Sequence, residues 1–208
     1  ISGQDTYYPD LAGWTSATPI TDSQWASLRT FPADGTYIAD VRTNAVYVTT
    51  GGAPMYISGA DAQFLPNWAH ALKVPHWDFE NWQHLRQYPA DGHYLSDAQT
   101  GAVYVAAGGA PFYVSGSDAA ALPQWQYATR IPHWEFVNHQ HLRTLPADGT
   151  YISDVQTGAV YITLGGAPMY IAGGDTPFLP NWAGATRVSH WEFQNWTYLR
   201  PYPEDGYF

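Results

Sequence analysis

The 208-residue sequence contains no cysteine. Disulfides, thiol nucleophiles and cysteine-based metal sites are therefore excluded, while the compartment stays open, since secreted bacterial proteins and cytosolic ones both do without disulfides. Basic residues are scarce. Eight Lys plus Arg stand against 18 Asp plus Glu, a net charge of −10 with His neutral, which repels a phosphate backbone or an anionic membrane surface. Nucleic acid is excluded as a partner on this ground. Charged residues amount to 12% against 45% hydrophobic, too little charge to keep the chain expanded, so a folded core is expected. No apolar run approaches the roughly 18 residues of a membrane helix, and Ile1-Ser2-Gly3-Gln4 lacks the features of a signal peptide. The expectation is a soluble mature chain or an excised fragment, with no membrane insertion.

What the sequence has in excess is aromatics, with ten Trp, sixteen Tyr and eight Phe, and the reason is repetition. Pro32-Ala33-Asp34-Gly35-Thr36-Tyr37 returns as Pro89-Ala90-Asp91-Gly92-His93-Tyr94, as Pro146-Ala147-Asp148-Gly149-Thr150-Tyr151 and as Pro203-Glu204-Asp205-Gly206, always 57 residues on. A fixed period of this size makes each copy one supersecondary unit in an array or a closed ring. The division is a partial repeat at 1–18, full repeats at 19–75, 76–132 and 133–189, and a partial repeat at 190–208.

Within the first full copy, Thr36 to Asp40, Ala45 to Thr50 and Met55 to Ser58 are short β-branched and aromatic runs, read as strands. Arg42-Thr43-Asn44 and its copies Gln99-Thr100-Gly101 and Gln156-Thr157-Gly158 supply the first turn, with Asn or Gly at the position needing positive φ. Gly51-Gly52-Ala53-Pro54 supplies the second. Asp61 to Ala71, interrupted by Pro66, and Trp77 to Tyr88, ended by Pro89, read as short helical segments. The predicted fold is mainly β with short helices, each unit a three-stranded antiparallel meander followed by one or two helical segments. Alternation puts Ile38, Val46, Val48, Met55 and Ile57 on an aliphatic face and Tyr37, Tyr47 and Tyr56 on the other. The tyrosine face is either covered by the helical segment or left as a platform for a ligand.

The strings PADGTYISDVQTGAVYITLGGAPMYI and HLRTLPADGT resemble tandem repeats of secreted or surface proteins of actinobacteria, in which a PADGT(Y/F) turn precedes VY, then GGAP, then a Tyr-containing strand. The resemblance covers the three full copies and most of the partial ones. It implies an exported accessory module, extracellular or at the cell surface, of the kind that accompanies extracellular hydrolases and surface proteins.

Most acids sit at repeated positions: Asp34, Asp91, Asp148 and Asp205; Asp40, Asp97 and Asp154; Asp5, Asp61, Asp118 and Asp175; Asp78, Glu135 and Glu192. Paired carboxylates catalyse when their environments push their pKa values apart, and copying one environment works against that. The Asp-Gly pairs read as turn formers. Arg29, Arg86, Arg143 and Arg200, each after Leu, read as structural forks joining turns and carbonyls, or else as grips on a carboxylate of a sugar or peptide. His139 and His141, with Glu135 or His133, have the residue types of a zinc site. However, Trp25, Trp82 and Trp196 replace His139 in the other copies, so that place asks for an aromatic. No nucleophile elbow or phosphate loop occurs. The expectation is a non-enzyme with no metal and no cofactor.

The remaining motif is His76-Trp77-Asp78-Phe79, copied as His133-Trp134-Glu135-Phe136 and His190-Trp191-Glu192-Phe193. An aromatic face beside a carboxylate and an imidazole is what a sugar site needs. The first copy has Pro19-Ile20-Thr21-Asp22 instead, which reads as a binding motif lost from a terminal copy or a docking motif with no preceding unit to dock on. The leading expectation is a non-catalytic extracellular module binding polysaccharide or cell-wall glycan through copied weak sites at His76, Trp77, Asp78, His133, Trp134, Glu135, His190, Trp191 and Glu192. The alternative is a structural or self-associating surface repeat without a small-molecule ligand.

Overall fold

The computed structural model describes residues 16–179 and 181–204. Asp5, most of the partial repeat at 1–18 and the final Asp205-Gly206 turn lie outside the described residues. Three four-stranded sheets follow one another along the chain. The first contains β1 (Tyr37–Asp40), β2 (Val46–Thr50), β3 (Ala53–Tyr56) and β4 (Leu72–Val74). The second contains β5 (Tyr94–Asp97), β6 (Val103–Ala107), β7 (Ala110–Tyr113) and β8 (Thr129–Ile131), and the third β9 (Tyr151–Asp154), β10 (Val160–Leu164), β11 (Ala167–Tyr170) and β12 (Thr186–Val188). Each sheet has the order third, second, first, fourth strand. Short helices α1 (Asp22–Ser27), α2 (His76–Asn81), α3 (His133–Asn138) and α4 (His190–Asn195) complete the units.

The three-stranded meander is therefore incomplete. A fourth strand, β4, β8 or β12, pairs in parallel with the first strand of its sheet, so each sheet is mixed. These strands are three residues long, too short for alternation to show, and their partner is some thirty residues upstream. The intervening segment makes two 3-10 turns, Ala62–Phe64 and Pro66–His70 in the first unit.

Strand register also corrects the assignment of faces. Tyr37 is opposite Val48, and Val48 opposite Met55, while Ile38 is opposite Tyr47, and Tyr47 opposite Tyr56. Directly paired residues share a face, so Tyr37 lies with the aliphatic residues and Ile38 with the tyrosines. Alternation orders residues within a strand, whereas the turn between strands sets their relative phase. The turn residues behave as expected, with positive φ at Asn44, Gly101 and Gly158.

The Trp77 to Tyr88 helix ends earlier than its apolar spacing suggests. α2 stops at Asn81, and Trp82 caps it in the left-handed region at φ 54°, as His139 and Trp196 cap α3 and α4. α1 begins three residues later in the repeat. It is opened by a reciprocal capping box in which the Thr21 N–H donates to Gln24 Oε1 and the Gln24 N–H to Thr21 Oγ1.

The sheets are stacked in series. Val48, Ala53, Met55 and Ile57 from one face of the first sheet form a single core with Leu95, Ala106 and Ile131 of the second, together with Leu142. Val105, Ala107, Ala110 and Phe112 of the second sheet pack in the same way against Ile152 and Val188 of the third, with Leu199. Burial of this apolar area, at about 25 cal/mol per Å², is what joins one unit to the next.

Candidate functional site

Each residue of the His-Trp-acid-Phe motif has a separate contact, and these contacts alternate between two sheets. The His points to its own sheet. Nδ1 of His76, His133 and His190 lies 2.7 Å from Oδ2 of Asp40, Asp97 and Asp154, the carboxylates that end each first strand. Burial is the largest influence on Asp97 and acts to raise its pKa, but the hydrogen bonds from His133, Thr100 and the Gln99 backbone together hold it below the ordinary carboxylate range. Phe79, Phe136 and Phe193 also turn to their own sheet, lying 4.9, 4.6 and 4.9 Å from the rings of Tyr47, Tyr104 and Tyr161. The tyrosine at the centre of each such face is thus covered by the helix.

Trp and the acid reach the preceding sheet. Trp134 meets Tyr56 edge to face at 5.1 Å, and Trp191 meets Tyr113 at 5.2 Å. Glu135 Oε1 accepts the N–H of Tyr56 at 2.7 Å, and Oε2 accepts that of His141 at 2.9 Å. Glu192 repeats this with Tyr113 at 2.8 Å and Tyr198 at 3.3 Å. Both carboxylates are fully buried. The strands they meet are sheet edges, where outward N–H groups are a liability. Pro54 and Pro111 lie two residues before Tyr56 and Tyr113 on the same edge strands. Proline has no N–H, so the tyrosine amide is the donor left for the glutamate to take.

The helix starts are held from the preceding unit as well. Asp61 accepts from the backbone N–H of His133 at 3.0 Å, from Gln99 and from Ser58. Asp118 accepts from Gln156, Ser115 and Ser189. Burial pushes Glu192 up to about 7, with the N–H groups of Tyr113, Tyr198 and Thr197 pulling the other way.

Of the nine residues read as a binding constellation, the structure therefore brings Trp134, Glu135, Trp191 and Glu192 into contacts between units, and His76, His133 and His190 into contacts within them. Trp77 and Asp78 sit on α2 without such a strand among the described residues. His139 is a helix cap, and His141 is tied to Glu135 Oε1 at 2.7 Å. Among the described residues no group of three or more His, Asp or Glu is arranged to hold a metal ion.

The Asp-Gly pairs have a longer reach than a local turn. Asp34, Asp91 and Asp148 each accept the N–H of Gly51, Gly108 and Gly165 at 2.7 Å, 17 residues away. In addition, the Gly51 and Gly52 carbonyls accept from Ala90 and Arg86 of the next unit. Gly51 has φ +53°, and a Cβ there would lie 2.6 Å from the Ala90 nitrogen, so this turn admits glycine alone.

Beside two of the double-glycine turns, Gly51-Gly52 and Gly165-Gly166, is an open groove that the sequence did not single out. Arg86 lies over the Phe31 ring at 4.5 Å, and Arg143 over Tyr88 at 4.4 Å. Neither guanidinium donates a hydrogen bond among the described residues, which departs from the fork expected of them. Arg130, at the repeated place of Lys73 and Arg187 that has the same fork reading, does reach a carbonyl: its Nη2 donates to that of Ala98 at 3.0 Å. The grooves have volumes of about 420 and 380 Å³. The first is lined by Arg29, Phe31, Asp34, Arg86 and His93, the second by Tyr88, Arg143, Leu145, Asp148 and Glu204. The signal was present as Arg-x-aromatic in Arg29-Thr30-Phe31 and Arg86-Gln87-Tyr88, but the stacking partner comes from the neighbouring copy.

Comparison with protein-family models, with curated proteins and with solved structures finds no match.

Proposed function

We propose that the chain is a non-catalytic scaffold, a rod of units that dock in series through their His-Trp-acid helices. The observation that carries this reading is the pair of fully buried glutamates, Glu135 and Glu192, each accepting an edge-strand N–H from the sheet before. A ligand site needs its carboxylate accessible, and these two are occupied by backbone. The experiment is thermal unfolding of Glu192→Ala, for which the scaffold reading expects a clear loss of stability. An unchanged melting temperature would remove its main support.

A second reading is supported by a different observation, the recurring Arg-on-aromatic grooves. A guanidinium with free N–H groups over an aromatic ring suits a sugar or peptide that carries a carboxylate. On this reading the module binds an acidic polysaccharide or cell-wall polymer at the grooves and not at the helices. A glycan array with Arg86→Ala and Arg143→Ala as controls tests it.

A further inference from the structure

A histidine breaks the repeat at one place in the wall of the first groove. At the equivalent places Thr36 and Thr150 keep to their own turns, each donating Oγ1 to the carbonyl three residues back, that of Ala33 or Ala147, at 2.7 Å. The second copy has His93 there. Its imidazole crosses to the preceding unit instead, with Nδ1 2.8 Å from Oδ2 of Asp34 and both side chains more than a third exposed.

The pair decides which ring nitrogen titrates. The hydrogen bond from His93 holds the Asp34 carboxyl below its ordinary range, with help from the Gly51 N–H and against the effect of burial, so at neutral pH it is ionised and can only accept. Nδ1 therefore carries a proton whether the ring is neutral or charged. Nε2 is the atom that gains or loses one, and it makes no hydrogen bond among the described residues. On protonation it changes from an acceptor into a charged donor.

The charges around it suit an anion. Both Asp34 oxygens are engaged, Oδ1 by the Gly51 N–H at 2.7 Å and Oδ2 by His93. The other charged residues lining this groove are Arg29 and Arg86, whereas the second groove sets Arg143 against Asp148 and Glu204.

We infer that His93 is a pH-dependent contact of the first groove, its protonated Nε2 joining Arg86 in holding the carboxylate of an acidic oligosaccharide. The inference rests on the reading of the grooves as sites for such a ligand. The Asp34 hydrogen bond raises the pKa of His93 above 6.5, with burial and the Arg86 charge acting the other way, so the contact is present below that range and is lost as pH rises through it. A sugar carboxylate, the arginines and Asp34 keep their charges throughout.

Isothermal titration calorimetry with a hexasaccharide of galacturonic acid tests this in the Arg143→Ala chain, where the first groove is the one left. Binding is expected to be about ten-fold tighter at pH 5.5 than at pH 8.5, the size of one hydrogen bond to a charged group. By linkage, saturation with the hexasaccharide should move the His93 titration, followed by NMR in the same chain, up by about one pH unit. His93→Thr copies the residue of the other two units and should bind equally at both pH values. Equal affinity at the two pH values before that substitution, a pH dependence that survives it, or a His93 titration that the ligand does not move overturns the inference and leaves the grooves as ligand sites. No binding at either pH removes the grooves themselves, and the inference with them.

Discussion

Glu192 accepts the backbone N–H of Tyr113 at 2.8 Å across 79 positions of sequence, the same separation at which Glu135 meets Tyr56. The separation exceeds the repeat length because each helix follows its own sheet and then reaches back to the sheet before. Adjacent units are thereby interlocked through Glu135 and Glu192.

Removing that contact leaves a buried donor without an acceptor. Glu192→Ala orphans the N–H groups of Tyr113 and Tyr198, and an unsatisfied buried group costs about 1–3 kcal/mol. With some 2–4 °C lost per kcal/mol in a chain of this size, each orphaned group is expected to lower the melting temperature by about 2–12 °C, read by differential scanning calorimetry. Glu192→Gln retains a carbonyl oxygen for one donor and should lose less.

Glu192 also makes stability depend on pH in an unusual direction. Its folded pKa is raised from 4.5 to about 7 by burial, so between these values the folded chain binds more protons than the unfolded one. Stability therefore decreases as pH rises from about 4.5 to about 7 and is level above that, by at most about 3 kcal/mol from this residue. Urea unfolding of the parent and of Glu192→Gln at pH 5 and pH 7.5 isolates the effect, because the variant lacks the titrating group. If the two proteins respond alike, Glu192 is not the source.

The double-glycine turn allows a sharp comparison of two glycines with similar backbone. Gly108, at φ +56°, would bring a Cβ within 2.7 Å of the Ala147 nitrogen, whereas Gly101, at φ +74°, has nothing within 4 Å. Gly108→Ala should cost more than about 1 kcal/mol, from the left-handed backbone and the collision together. Gly101→Asn copies the first unit, where Asn44 has φ 58°, and should stay within about 0.5 kcal/mol of the parent. Chemical denaturation measures both.

The repeat, the first three strands of each unit and the turn glycines were legible in the sequence because each is a local pattern. The parallel fourth strand was not, since Leu72-Lys73-Val74 has no periodicity of its own and pairs with Ile38 to Asp40 far upstream. Phase between strands was lost for a similar reason, so that Tyr37 and Ile38 exchange faces. The motif at His133, Trp134 and Glu135 was visible as chemistry, but its partners Asp97, Tyr56 and the Tyr56 N–H belong to two different sheets. Only the fold decides between docking and binding there, because a buried carboxylate and an exposed one are spelled alike.

The grooves make a stoichiometric prediction that the helices do not. Arg86 and Arg143 rest on Phe31 and Tyr88, but one period later the residue in that place is Leu145, beside Gly166. Stacking of a guanidinium on an aromatic ring holds it flat and leaves its N–H edge for a carboxylate, which an aliphatic side chain does less well. An acidic oligosaccharide bound at these places should therefore show two sites per chain by isothermal titration calorimetry, not the three expected of the His-Trp-acid motifs. Arg143→Ala should reduce two sites to one with only a small fall in melting temperature, because among the described residues the guanidinium donates no hydrogen bond and its stacking on Tyr88 is worth about 0.5–1 kcal/mol. Binding of such oligosaccharides that is unaffected by Arg86→Ala and Arg143→Ala, or no binding at all, would remove the grooves as ligand sites.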